Sequence, residues 1–321
     1  MRMKTFNRKY KPASVPGQAS TEKQNINYKK LTAVFLLLSF VIGTTATVFW
    51  YKDIYLSPER RFWSAIDNSL STKSVVRTLT SGGTGNQVVQ DNRFVFTETD
   101  FAESRVEFTN RSATVDTFVV TEGLTTLDSQ YSRYVSFDTN DTREDGSTAD
   151  IDEVLGQWAG ATVDEERREE ARLNYVSELV TLALFGDYSS SLRAGIIDSL
   201  QSADTYRVNY EAVSEGEIDE NAVFFYPVSV GLKSYASILQ DSFESAGLGG
   251  FPPLDPENYR EDARVNATFA IRKRDNALVG VQFGDRSEQY SNYGALRELS
   301  IPEVKFTPEE LEAIVQEEIQ G

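Results

Sequence analysis

The chain has 321 residues, and its 49 Asp and Glu against 32 Lys and Arg give a formal net charge of −17. It contains neither histidine nor cysteine, which excludes Ser-His-Asp and Cys-His catalysis, thiol redox chemistry, disulfides and ordinary zinc sites. The negative charge also excludes nucleic acid as a partner, because the field of an acidic domain repels polyanions.

The N-terminal segment predicts a membrane anchor. Residues 1–30 carry eight Lys or Arg and one Glu among mostly polar residues, a composition typical of a disordered tail. Residues 31–51 form an uncharged run that is long enough to cross a bilayer as a helix at about 1.5 Å per residue. The positive-inside rule places the basic tail in the cytoplasm and the large remainder outside. Cleavage after Ala46 by a signal peptidase is the open alternative to an uncleaved anchor.

The first element after the predicted span is a helix over residues 58–70. Ser57 suits the N-cap and Pro58 suits the first helical position. Because the polar face carries acidic as well as basic residues, we expect the helix to pack on its own domain and not on the lipid surface. Its apolar face is formed by Phe62, Trp63, Ile66 and Leu70.

Five strand-like runs lie between residues 74 and 139. Apolar residues alternate in them with Asp, Arg, Glu and Thr, and one apolar face with one polar face predicts an antiparallel sheet. The glycine-rich residues 81–87 lack the Gly-Lys-Ser/Thr ending of a phosphate loop and predict a hairpin turn.

An acidic segment at residues 138–153 follows the strands. If Gly146 took the sixth position of an EF-hand loop, Arg143 would stand where an oxygen ligand is needed. The segment therefore predicts a solvated loop, with an irregular calcium site as the open alternative. No metal or other cofactor is predicted for the chain.

Two helices are predicted next. Thr162 and Glu165 have the spacing of a capping box, and an apolar stripe follows up to Gly186, which suits the position after a helix. The second helix is expected near residues 192–202, where apolar residues recur at helical spacing.

Strands resume with two hairpins and two closing strands. The first hairpin is expected to turn through the acidic residues 214–220, and the second at Asp275 and Asn276. The closing strands are expected at residues 287–294 and 297–306.

The remaining elements are two helices and an apolar loop. A helix is predicted near residues 232–247, and a last one begins at Thr307 with the spacing of a capping box. The loop at residues 247–256 combines Gly and Pro with apolar side chains, among them Phe251. It is either a connector that packs its own side chains or the movable lip of an apolar cavity.

Strands on both sides of a helical middle predict one α+β domain. We expect a curved antiparallel sheet, or half-barrel, of about nine to eleven strands packed on inserted helices. The predicted organisation is a cytoplasmic tail at 1–30, a transmembrane helix at 31–51, a connector at 52–57 and a single extracytoplasmic domain at 58–321.

The closing run contains Ser291, Tyr293, Gly294 and Pro302. Together with the opening helix and its aromatic pair, the strand meander and the helical middle, this run resembles the LppX/LprG-type and LolA-like bacterial envelope proteins. The resemblance implies a half-barrel bent around helices, and several members carry acylated lipids in the concave space. This chain departs from the lipoprotein members because it lacks the lipobox cysteine, so the predicted transmembrane helix would be its anchor.

The sequence favours a binding or interaction protein over an enzyme. It has no G-x-S-x-G elbow, and no Ser-x-x-Lys pair ends at Lys73, Lys233 or Lys305. Its many carboxylates single out no pair for a two-carboxylate hydrolase. The leading hypothesis is a cell-membrane protein that binds a lipid or other apolar ligand in the half-barrel. The alternative is an envelope structural or protein-interaction module with a solid core. The residues predicted to contact a ligand are Phe62, Trp63, Phe94, Phe96, Phe118 and Phe251.

Overall fold

The described part of the chain begins after the predicted membrane span. The computed structural model describes residues 57–83, 85–97, 100–112, 114–142, 146–160 and 165–320, with the backbone alone for residues 165–167 and 320. The basic tail and residues 31–51 lie outside these ranges. Within them, no helix is both long enough and apolar enough to span a bilayer. The membrane anchor and its orientation therefore stay predictions.

Five α-helices occur in the described residues, and the capping predicted for two of them is confirmed. Ser57 Oγ accepts a hydrogen bond from the Arg60 amide at 3.2 Å. At the last helix, the Glu310 amide donates to Thr307 Oγ1 at 3.2 Å and Glu310 Oε2 accepts from the Thr307 amide at 2.8 Å, a reciprocal capping box. The helices are α1 (Pro58–Leu70), α2 (Glu165–Leu179), α3 (Ser190–Ser202), α4 (Leu232–Ser245) and α5 (Pro308–Gln320).

The described strands form one open, curved sheet of thirteen members. They are β1 (Ser74–Gly82), β2 (Asn86–Val95), β3 (Phe101–Arg111), β4 (Asp116–Thr126), β5 (Gln130–Thr139), β6 (Trp158–Gly160), β7 (Tyr206–Val208), β8 (Ser214–Ile218), β9 (Asn221–Gly231), β10 (Arg264–Arg272), β11 (Leu278–Phe283), β12 (Arg286–Ser291) and β13 (Val304–Phe306). Their order is β13-β6-β5-β4-β3-β2-β1-β12-β11-β10-β9-β7, and β8 pairs separately with β9. Every pairing is antiparallel except that of β13 with β6.

The α+β class and the curved sheet are confirmed, whereas the predicted count of nine to eleven strands is too low. Three of the strands, β6, β7 and β13, have only three residues each. So short a segment shows no alternation that a sequence pattern could reveal. The parallel pairing of β13 also makes the sheet mixed and not purely antiparallel.

The predicted acidic turn at residues 214–220 is largely a strand. Ser214–Ile218 forms β8, and the chain reverses at Asp219 and Glu220, whose φ angles of 47° and 64° are both left-handed. Two consecutive left-handed residues are the geometry of a tight two-residue hairpin. The acidic composition hid this strand because no apolar residue alternates within it.

The first middle helix ends earlier than predicted. Helix α2 stops at Leu179, and Gly186 does not terminate it. The chain then continues through the core, where two buried tyrosines satisfy carbonyl groups of the segment after the helix: Tyr235 donates to the Thr181 carbonyl at 2.7 Å and Tyr206 to the Leu182 carbonyl at 2.8 Å. These partners come from distant elements and leave no trace in the local sequence.

The apolar core lies between the helices and one face of β9–β11. Helix α1 packs on β10 and β11, and α4 packs on β9. The Phe62 ring lies 5.7 Å from Tyr226 and 5.8 Å from Phe269, centroid to centroid, and all three side chains are fully buried. Helix α2 covers a different part of the sheet, over β3 and β4.

The predicted closing strand at residues 297–306 is mostly a crossing segment. Only Val304–Phe306 is a strand, and it pairs with β6, whereas β12 pairs with β1. The intervening chain crosses the face of the sheet that is opposite to α2. Leu299 packs there on the cluster of Val95, Phe101 and Leu124, and Arg297 lies 3.1 Å from Glu103.

Candidate functional site

The structure places most of the predicted ligand-contacting aromatic residues in the core. Phe62, Phe94 and Phe251 are buried within it, and Trp63 packs on it while remaining partly exposed. Phe118 is half-buried on β4. Phe96 stacks on Phe94 with a centroid distance of 6.3 Å and lines a cleft. Ligand contact by these residues stays a prediction.

The cleft, here called the α2 cleft, has a volume of about 440 Å³. This volume lies in the usual range of small-molecule sites. The cleft is bounded by the end of β2, by α2, by residues 185–189, by the start of α3 and by the end of α4. Its apolar and aromatic walls are Phe96, Tyr175, Leu179, Phe185, Leu192 and Leu248.

The wall at residues 185–189 is fixed to α1. The Gly186 amide donates to the Ser69 carbonyl at 3.2 Å and the Tyr188 amide to the Leu70 carbonyl at 3.0 Å. Arg193 joins the same elements, because its Nε lies 2.8 Å from Asp67 Oδ1 and its Nη1 3.0 Å from the Tyr188 carbonyl. These bonds hold the wall in place without a ligand.

The glycine-rich loop at residues 247–256 is also held in place. Gln240 Nε2 donates to the Phe251 carbonyl at 2.7 Å, and Gln240 Oε1 accepts from the Phe251 amide at 2.8 Å. Arg172 Nη1 donates to the carbonyls of Leu248 and Gly250. The loop therefore fits the prediction of a self-packed connector better than that of a movable lip.

Tyr175 is the polar group that distinguishes the α2 cleft. Its side chain is fully buried, and its hydroxyl has no hydrogen-bond partner among the described residues. Burial raises the pKa of this hydroxyl well above its ordinary value, and the nearby Asp100 adds to the effect. A buried polar group without a partner costs free energy, so it points to a partner supplied from outside the chain.

Asp100 provides the second polar feature. Its Oδ1 accepts a hydrogen bond from the Thr97 amide at 2.9 Å. Burial raises the pKa of the Asp100 carboxyl, and this hydrogen bond opposes the rise. Burial, together with the charge of Asp100, also raises the pKa of Tyr188 to about 12. The cleft thus combines apolar walls with a carboxyl and two phenol groups.

A second cavity, of about 290 Å³, lies on the other side of α2 and is polar. In-register pairing places Ser104, Gly123 and Ser132 in one row across β3, β4 and β5. Asn174 and Glu178 of α2 also line this cavity. The face of the sheet beneath α2 is therefore polar at its centre, so the expected apolar half-barrel interior does not extend across this part of the sheet.

Glu178 connects the polar row to the middle of the sheet. Its Oε2 accepts hydrogen bonds from Arg77 Nη2 at 3.4 Å, from Gln90 at 2.8 Å and from Asn92. Burial lowers the pKa of the Arg77 guanidinium, and the charges of Glu288, Tyr290 and Glu178 oppose this effect. The alternation of apolar residues gives no sign of such a network.

The described residues contain no group of His, Cys, Asp or Glu arranged to hold a metal ion. The acidic segment considered for calcium is described only in part, because residues 143–145 lie outside the described ranges. An irregular calcium site there stays an untested alternative.

Comparison with known proteins gives little further information. No protein-family model matches the chain, and no curated protein matches it. Among solved structures, the chain is similar to LprF from Mycobacterium bovis, with 16% sequence identity, a TM-score of 0.37, and coverage of 77% of this chain and 97% of that one. A TM-score of this size carries no argument about function.

Proposed function

We propose that this chain is a non-enzymatic binding protein that holds one small amphipathic molecule in the α2 cleft. The observation that supports the proposal is the fully buried Tyr175 hydroxyl, which lacks a partner beside a cleft with mainly apolar walls. The polar end of a bound molecule would supply the missing hydrogen bond, and its apolar body would cover the walls. This proposal keeps the apolar ligand predicted from the sequence and moves its site to the α2 cleft.

Two free-energy terms favour such an occupant. A buried hydroxyl left without a partner costs about 1–3 kcal/mol, which a ligand hydroxyl or amine would recover. Each Å² of apolar surface that the ligand removes from water adds about 25 cal/mol. Because the walls are held by hydrogen bonds to α1 and α4, the protein loses little conformational freedom on binding.

The proposal includes the predicted topology. A single transmembrane helix at residues 31–51 would hold the domain at residues 58–321 outside the cell membrane. A domain anchored there would meet amphipathic molecules of the cell envelope. No step of this function requires a nucleophile, a metal or a cofactor.

A neutral probe tests the proposal without reference to charge. We expect 1-octanol to bind the purified full-length chain with one-to-one stoichiometry, measured by isothermal titration calorimetry and by saturation-transfer NMR. Ala246→Trp should abolish binding, because Ala246 is exposed at the C-cap of α4 and lines the cleft. Ala203→Trp is the matched control: Ala203 is exposed at the C-cap of α3, and its φ and ψ of −83° and 3° match the −82° and −1° of Ala246.

Absence of octanol binding to the wild-type chain, or equal binding by the two tryptophan variants, would overturn the proposal. Thermal unfolding of both variants separates a filled cleft from a disrupted fold. The two C-cap positions have the same backbone geometry, so we expect the same small change in Tm for both.

The second candidate function is an envelope interaction module that takes no ligand. The observation that favours it is the aromatic core between α1 and the sheet, in which Phe62, Tyr226 and Phe269 are fully buried in mutual contact. A wild-type chain that binds no octanol and carries no small molecule in native mass spectrometry would favour this candidate.

A further inference from the structure

We propose that the molecule bound in the α2 cleft carries a protonated amine, which sits between the Asp100 carboxylate and the surrounding aromatic rings. This inference rests on the proposed function and adds the chemical class of the ligand.

The charged side chains that line the α2 cleft are all acidic among the described residues. Its described lining includes Asp100 and Asp187 and no Lys or Arg side chain. Neither acid forms an ion pair with a described residue. Most of the described acids that do form one are paired with an arginine, as Asp67 is with Arg193 at 2.8 Å. A cation is the ligand group that complements such a lining.

Asp100 has more to gain from a cation than an exposed carboxylate would. It is half-buried, and the hydrogen bond from the Thr97 amide is the one that its carboxylate accepts among the described residues. A carboxylate that has lost part of its hydration is stabilised strongly by an opposite charge at hydrogen-bond distance. An ammonium group would supply both the charge and the hydrogen-bond donors.

Four aromatic rings line the same cleft: those of Phe96, Tyr175, Phe185 and Tyr188. Aromatic faces attract an ammonium cation through the ring quadrupole, and this attraction grows when the site is shielded from water. The Phe185 ring is held by Tyr290, with centroids 4.6 Å apart. Aromatic rings beside a carboxylate are the combination that recognises alkylammonium groups.

Other head groups fit the lining less well. A carboxylate would meet two acids and no base. A neutral alcohol would satisfy the Tyr175 hydroxyl and leave the Asp100 charge without a partner. An amine can donate to both Asp100 and Tyr175, because a protonated amine is a donor with several hydrogens.

Three probes of equal chain length test the inference: 1-octylamine, 1-octanol and octanoate, each titrated into the full-length chain at about pH 7 and an ionic strength of about 0.15 M. We expect octylamine to bind at least about tenfold more tightly than octanol, a difference of about 1.4 kcal/mol. Octanoate should bind more weakly than octanol.

Asp100→Asn identifies the responsible group. It should reduce octylamine affinity about tenfold and so remove the preference of the chain for octylamine over octanol. The matched control is Asp198→Asn, because Asp198 is exposed on α3 and does not line the cleft. This control should leave all three affinities unchanged, which excludes a general attraction of amines to an acidic protein.

The outcomes separate the two proposals. Failure of octanol to bind would overturn the proposed function. Octanol binding without a preference for octylamine, or an octylamine preference that survives Asp100→Asn, would overturn the amine inference alone. If Asp100→Asn failed to fold, the ranking of the three probes on the wild-type chain would still decide the inference.

Discussion

The Tyr235 hydroxyl donates a hydrogen bond to the Thr181 carbonyl at 2.7 Å, across 54 residues of sequence. Tyr206 donates in the same way to the next carbonyl, that of Leu182, at 2.8 Å. Both tyrosines are buried. The two bonds let the chain leave α2 in the interior, turn through residues 180–184 and form the wall of the α2 cleft.

Tyr235→Phe should therefore destabilise the domain although it keeps the ring. The substitution leaves the buried Thr181 carbonyl without this donor, and we expect a loss of about 1–3 kcal/mol in the free energy of unfolding. Tyr259→Phe is the control, because the Tyr259 hydroxyl has no hydrogen bond to a described residue. Chemical denaturation of the full-length chain measures both. An equal effect of the two variants would contradict this account.

The aromatic pair of α1 should be unequal in its contribution to stability. Phe62 is fully buried among Tyr206, Tyr226 and Phe269, and Phe62→Ala should cost about 3–5 kcal/mol. Trp63 is partly exposed, so Trp63→Ala should cost less than this range. Thermal and chemical unfolding of the two variants test the ranking. A larger loss for Trp63→Ala would show that the tryptophan carries the packing of α1.

The sequence predicts the features of this structure that depend on residues close together in the chain, and it does not predict those that depend on distant residues. The N-cap at Ser57, the capping box at Thr307 and the turn at Asn276 depend on residues close in sequence, and all three are confirmed. The end of α2 and the path of the crossing segment depend on distant partners, and the sequence pattern predicts both incorrectly.

The candidate site shows the same division. The alternation in the strand predicts Phe96 as a ligand contact; the structure places Phe96 in the lining of the cleft, and the contact itself stays a prediction. The sequence does not single out Tyr175 or Asp100. A buried hydroxyl without a hydrogen-bond partner, and a carboxylate beside it, can be recognised only from the three-dimensional structure. One signal is present in the sequence: Tyr175 follows the charged first half of α2 and lies close to Leu173 and Val176, which places a phenol group on the apolar face of that helix.

Asp100→Asn should stabilise the unliganded chain at neutral pH. The folded-state pKa of Asp100 is raised by burial, so it lies above the unfolded value. The folded state then binds the proton more tightly, and stability decreases as the pH rises through the window between the two pKa values. Asn removes this charge, so the stability of Asp100→Asn relative to the wild type should be largest above the folded-state pKa and should decrease as the pH falls through it.

Thermal unfolding from about pH 7 to about pH 3 measures the trend, with Asp198→Asn as the control. A constant difference between Asp100→Asn and the wild type at every pH would contradict the assignment.

In the polar row beneath α2, substitutions at Ser104 and Gly123 should have non-additive effects on the free energy of unfolding. These residues pair across β3 and β4, and a Cβ on Gly123 would lie 2.6 Å from Ser104 Oγ but 4.0 Å from Ser104 Cβ. Gly123→Ala should therefore destabilise the chain, although alanine loses less conformational entropy than glycine on folding. Ser104→Ala removes the clashing oxygen, so the double variant should recover about 1 kcal/mol relative to the sum of the single effects. Gly195→Ala, at an open position on α3, shows the effect of the same substitution without a clash and should be neutral or stabilising. Additive effects in this double-mutant cycle would mean that the Ser104 hydroxyl rotates away from an alanine at position 123 without cost. The absence of a side chain at Gly123 would then not be required by Ser104.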